Sequence, residues 1–195
     1  FLVVFILIEI EAVFFKTKLL EENSPFSLQI FEKISHSIRR YLYIKSLTST
    51  ATGLLVGVSL SIIGVDYPVL WGLIAFLLNF IPTIGSIIAA IPAVLISIVQ
   101  LGFPASYWTI GIYVFVNLAI GSVLEPRIMG KGLGLSVTVV FLSLIFWGLI
   151  LGPVGMFLSV PITMLIKILL EGFPGTVWIA ALLGTKEDAV AALKS

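Results

Sequence analysis

Asn79, Thr83 and Ser86 place three hydrogen-bonding side chains in the middle of an otherwise apolar run, Leu70–Val99. Pro82, Gly85 and Pro92 stand among and after them. Proline removes a backbone donor and frees the carbonyl one turn earlier. Freed carbonyls and neutral side-chain oxygens together suit a small polar solute or a monovalent cation. A second apolar region is interrupted by Gly152, Pro153, Gly155 and Pro161. Two such interrupted segments in one membrane protein point to a transport site, and packing kinks are the plainer alternative. The two regions share too few letters to be an internal repeat.

The carboxylates are the other groups with chemistry to offer. Glu9 and Glu11 lie in the apolar stretch Phe1–Phe15. They are about 200° apart on a helix and share no face. Each reads either as an interfacial or oligomer-facing group or as a coupling-ion site for protons or cations. Asp66, in Asp66-Tyr67-Pro68, reads as a turn residue first and a coupling site second. Glu125-Pro126-Arg127 sits at a helix end, where Glu125 either pairs with Arg127 to anchor a loop or gates an entrance. Gly130 and the glycines after it allow a tight turn or a hinge. Asn117 is a lone amide inside an apolar span. His36, the only histidine, falls on a polar helix face and reads as solvated.

With no cysteine, no histidine in a span and no pair of membrane aspartates, neither a metal, a cofactor nor an intramembrane enzyme is expected. The basic residues are few and dispersed, which argues against nucleic acid.

These residues must be positioned by membrane helices. The hydrophobic fraction is 59% and the charged fraction 11%, against about 25% charged in soluble domains. Mean hydropathy is +1.21. The expected fold is all-α: a polytopic membrane protein with broken or re-entrant helices and a cytoplasmic amphipathic helix. Residues 1–15 read as part of a transmembrane helix, and 16–45 as a cytoplasmic connection and amphipathic helix. Residues 46–171 read as a transport core with two interrupted hairpins, and 172–195 as a cytoplasmic tail. Ser24-Pro25 starts the amphipathic helix as N-cap and first helical residue. The segment Val69–Ile81 rises only about 20 Å as a helix, too short for an apolar core of about 30 Å. Leu47–Val65 is a full span whose Gly53-x-x-x-Gly57 permits close helix approach. Thr185 and Asp188 could cap a short terminal helix. Phe1 already lies within an apolar run, so the chain reads as the C-terminal portion of a longer protein.

Lysine and arginine fall in Lys16–Lys45, Arg127–Lys131 and from Lys167 onward, and are absent from Asp66-Tyr67-Pro68, Leu101–Pro104 and Gly152-Pro153. The positive-inside rule then puts the basic segments in the cytoplasm. Both ends of the first broken segment lie outside, whether it is re-entrant or two thin spans.

Three motifs carry a resemblance: LLNFIPTIGSIIAAIPAVL (Leu77–Leu95), EPRIMGKGLGLS (Glu125–Ser136) and GPVGMFLSVPITMLIKILLE (Gly152–Glu171). With IRRYL (Ile38–Leu42) before them, their order and spacing resemble the AI-2E family, the autoinducer-2 exporter-like transporters. The resemblance covers Phe1–Leu170. It implies an inner-membrane protein of about eight membrane segments, the first two or so missing here. It also implies a homo-oligomer, expected as a pentamer, embedded in the bilayer. Members are associated with export of the quorum-sensing signal autoinducer-2, and some with sodium(lithium)/proton antiport. The family pattern highlights Asn79, Pro82, Thr83, Gly85 and Pro92 at the first break, Glu125, Pro126 and Gly130 in the loop, and Pro161 in the second break.

Overall fold

The computed structural model describes residues 25–129, 134–173 and 175–185. Helix α1 (Pro25–Ile63) is one unbroken rod of 39 residues, about 58 Å long. The expected boundary between residues 45 and 46 therefore falls inside a helix, because Tyr43-Ile44-Lys45-Ser46-Leu47-Thr48 contains no glycine or proline to end it. Its buried stripe, from Ile34, Ile38 and Tyr41 through Thr48 and Thr52 to Val56 and Leu60, follows helical spacing throughout.

A turn at Gly64 (φ 90°) and Tyr67 (φ 57°) reverses the chain into α2 (Pro68–Leu78). Asp66 is indeed a turn residue. Its N–H donates to Gln100 Oε1, and its carbonyl accepts from Trp71 Nε1, both at 2.9 Å. Helix α2 runs antiparallel down α1. A Cβ on Gly53 or on Gly72 would come within 2.7 Å of the other's carbonyl oxygen, so these backbones touch as only glycines allow.

After the break come α3 (Ile84–Leu101) and α4 (Phe103–Val116), then a π-helical segment, Asn117–Leu124, that runs into the short α5 (Glu125–Met129). Glu125-Pro126-Arg127 is therefore helical, not loop. Pro126 has no N–H for the carbonyl of Ser122, and its ring crowds that oxygen. Widening the preceding turns to π geometry, with Glu125 N–H reaching back to the Ile120 carbonyl, relieves the crowding. Pro92 interrupts nothing: α3 runs through it, since a proline φ is itself helical.

The segment α6 (Val137–Glu171) is helical on both sides of Gly152, whose φ of 64° and ψ of −147° are not helical. Trp147 Nε1 donates to Thr163 Oγ1 at 3.2 Å. In a straight helix those residues would stand about 24 Å apart, so α6 is a hairpin folded at Gly152. Lys167 Nζ, donating to the Gly134 carbonyl, ties the base of the hairpin. Pro161 again lies inside a continuous helical arm and is no break. A last helix, α7 (Val177–Leu183), closes the described chain.

The described residues are all helical in their regular structure, and four segments are long and apolar enough to cross a membrane: Ile30–Ile63, Ile84–Leu101, Phe103–Ile128 and Val137–Glu171. The outer surface is correspondingly apolar, with Val69, Val99, Val137 and Leu149 among the exposed side chains. In water such a surface would be untenable.

Candidate functional site at the hairpin tips

Helix α1 is the common support for both hairpins. On its first half, Ile30 meets Gly172, Ile34 and Ile38 share a cluster with Ile168, and Tyr41 and Ile44 share one with Val160 and Met164. The second arm of α6 thus descends as α1 ascends, which brings the fold at Gly152 level with Ser49. On its second half, Gly57 meets Pro68 and Gly72, and Gly53 meets Phe76. Asn79 Nδ2 then donates to Ser49 Oγ at 3.0 Å, both residues buried. The two hairpins approach from opposite ends of α1 and meet at its middle. Phe80, at the first tip, stacks on Phe157, in the second arm of the other, with ring centroids 4.7 Å apart.

The first tip is tightly wound. Asn79 N–H still closes the helix onto the Ala75 carbonyl, and Ile81 N–H reaches the Leu78 carbonyl at 2.9 Å. Thr83 then takes φ 58°, ψ −52°, while Ile84 N–H meets the Pro82 carbonyl at 2.6 Å. That is a γ-turn of the strained, positive-φ hand, and a β-branched residue there is an outlier. Thr83 Oγ1 donates to the Pro82 carbonyl at 2.7 Å, and Ser86 Oγ donates to the Thr83 carbonyl at 3.1 Å. Gly85 lets the arms close: a Cβ there would lie 1.8 Å from the Leu78 carbonyl oxygen.

Behind the tip, Thr52, Ser86, Tyr113 and Asn117 line a small cavity with Val56, Ala75 and Val116. One turn along α1 from Ser49, Lys45 Nζ pairs with Glu125 Oε1 at 2.7 Å, their side chains only 5% and 15% exposed. Glu125 is thus bound to α1 and not to its neighbour Arg127, because a helical Glu-x-Arg spacing points the two side chains apart.

The structure therefore gathers Asn79, Pro82, Thr83, Gly85, Ser86 and Asn117 around one junction, with Glu125 and Pro126 about one turn below. Pro92 lies further up α3, about 9 Å from Ser86 by helical rise. Pro161 belongs to the junction indirectly, since it offers no N–H to the carbonyl of Phe157, the residue that meets Phe80. Asp66 lies just past the far end of α1, whose last residue, Ile63, is about 21 Å from Ser49 by helical rise. Arg127 is exposed. Glu9, Glu11, Gly130 and the Thr185-Asp188 cap lie wholly or partly outside the described residues. Ser49, Thr52, Tyr113 and Lys45 are site residues that the motifs did not single out. Lys45, Ser49 and Thr52 recur at four and three residues, one helix face, and that spacing was their available signal. Among the described residues no three His, Cys, Asp or Glu side chains are grouped to hold a metal.

A family model described as AI-2E family transporter matches residues 1–175. The AI-2 transport protein TqsA of Escherichia coli is similar, at 44% identity over 181 residues, 93% of this chain and 53% of that protein. A putative transport protein of Haemophilus influenzae is 47% identical over 157 residues, 80% of this chain and 45% of its own length. The putative transport protein YhhT of Escherichia coli is 39% identical over 182 residues, 93% of this chain and 52% of its own. The chain spans about half the length of these relatives.

Proposed function

Because the chain belongs to the AI-2E transporter family, we propose that it supplies the hairpin core of a secondary transporter, moving a small polar solute past the junction of the two tips. The observation that carries this reading is the buried Asn79–Ser49 hydrogen bond where hairpins from opposite ends of α1 meet. Two broken helices meeting tip to tip near mid-membrane form the arrangement that alternating access needs, with each tip able to cover the solute from one side. Asn79, Ser86 and Asn117 supply the polar lining, and Lys45–Glu125 is the gate on the basic, cytoplasmic side. Pro82 and Gly85 shape the tip, while Pro161 leaves a carbonyl free beside it.

Autoinducer-2 is the solute we favour, on the strength of the name carried by the Escherichia coli relative. The working protein is a homo-oligomer in the inner membrane, the apolar flank being its lipid and subunit face, with the basic segments cytoplasmic. The test is efflux from cells expressing the full-length protein. Autoinducer-2 should accumulate outside faster than in cells without it, and Asn79→Leu should abolish the difference while leaving the protein folded. Unchanged efflux with a gain in sodium or lithium tolerance would instead favour cation/proton antiport.

A further inference from the structure

We propose that the cavity behind the first tip is a binding site for one water molecule, held between Tyr113, Thr52, Ser86 and Asn117. The Tyr113 hydroxyl is buried and has no hydrogen-bond partner in the protein, and Tyr113 lines this cavity. A buried hydroxyl without a partner carries the full cost of its lost hydration, so native proteins leave such groups unsatisfied rarely. The cavity that Tyr113 lines has a volume of about 10 Å³, close to the minimum for a single water. A water needs about two to four polar partners, and four of the lining residues, Thr52, Ser86, Tyr113 and Asn117, carry polar side chains. Thr52 comes from α1, Ser86 from α3, Tyr113 from α4 and Asn117 from the π-helical segment. The Ser86 hydroxyl already donates to the Thr83 carbonyl, so it meets the water as an acceptor, and Tyr113 is free to act as donor.

The occupant is neutral. The lining contains no carboxylate, and a dehydrated cation in an uncharged, buried site bears a penalty that one water does not. The water then joins three helices and the tip through one shared partner. This site stands whether or not the transporter reading holds.

The test uses the full-length protein in detergent. Tyr113→Phe, which keeps the ring, should lower the melting temperature by a few degrees. Thr52→Val should do likewise, and the double variant should lose less than the two single losses together, because both act on one water. A melting temperature unchanged or raised in Tyr113→Phe means a dry cavity and overturns the proposal, as do strictly additive losses. Replacing sodium by choline should leave the wild-type melting temperature in place. A drop that Tyr113→Phe abolishes would show a bound cation and overturn it too. A density map resolving ordered solvent should show one peak within reach of Tyr113 Oη, and an empty cavity would refute the site.

Discussion

In the first hairpin Gly85 lies against the carbonyl of Leu78; in the second, Gly155 lies against that of Trp147. Added Cβ atoms would come within 1.8 and 1.9 Å of those oxygens. The backbone device is the same, a glycine just past the turn that lets the second arm cross the end of the first. The finish differs. The first tip carries Asn79, Thr83 and Ser86 and is partly buried, whereas Leu149, Leu151 and Val154 at the second are apolar and exposed. The first also holds a threonine at positive φ, while the second uses Gly152 for its own. Closing a hairpin thus requires glycine at one place only. The strained, polar turn of the first tip is an addition, and strain of that kind gathers where a protein acts.

The largest effect should fall on what the hairpins share. Gly85→Ala and Gly155→Ala should each cost about 3 kcal/mol or more, since backbone cannot give way as a side chain can. Size-exclusion profiles of the full-length protein should show loss of the folded peak in both, and survival of either would break the likeness. Next, Lys45→Met should cost about 2–3 kcal/mol by stranding the part-buried Glu125 carboxylate. Lys45→Met combined with Glu125→Leu should recover most of that in thermal melts, while a double variant no better than the single would remove the pair from the account. Asn79→Leu should cut transport at least tenfold, about 1.4 kcal/mol in the rate-limiting barrier. Leu151→Ala at the other tip should change transport less than twofold, and equal losses would erase the chemical contrast. Gly152→Ala should cost about 1–3 kcal/mol through its disfavoured φ and ψ, whereas Thr83→Gly should be neutral or stabilising; a destabilised Thr83→Gly would show that the threonine is not strained. The smallest term is the tip-to-tip contact. A double-mutant cycle of Phe80→Leu and Phe157→Leu should give a coupling of about 1 kcal/mol, and zero coupling would separate the tips.

Much of this was legible in local chemistry. The two breaks, the turn at Asp66 and the close approach allowed by Gly53 and Gly57 all follow from glycine, proline and hydropathy within a few residues. Pro92 and Pro161 misled because a proline permits a helix to continue when its surroundings tolerate a lost hydrogen bond. Lys45 and its partner Glu125 are separated by 80 residues, and Lys33, whose Nζ donates to Glu171 Oε2 at 2.8 Å, by 138 from that partner, so no local spacing reveals either pairing. Tyr113 carries no motif; only the helices packed around it make its hydroxyl notable. The meeting of the tips was hidden for the same reason, since it depends on α1 serving both hairpins at once.

That continuity of α1 makes it a ruler and a clock as well as a support. Each residue advances the helix by about 1.5 Å and turns it by about 100°. One residue inserted between Lys45 and Ser49 would leave every side chain of both hairpins intact. It would nevertheless swing Lys45 and the stripe below it a quarter-turn out of phase with Ser49, so that only one hairpin at a time finds its seat.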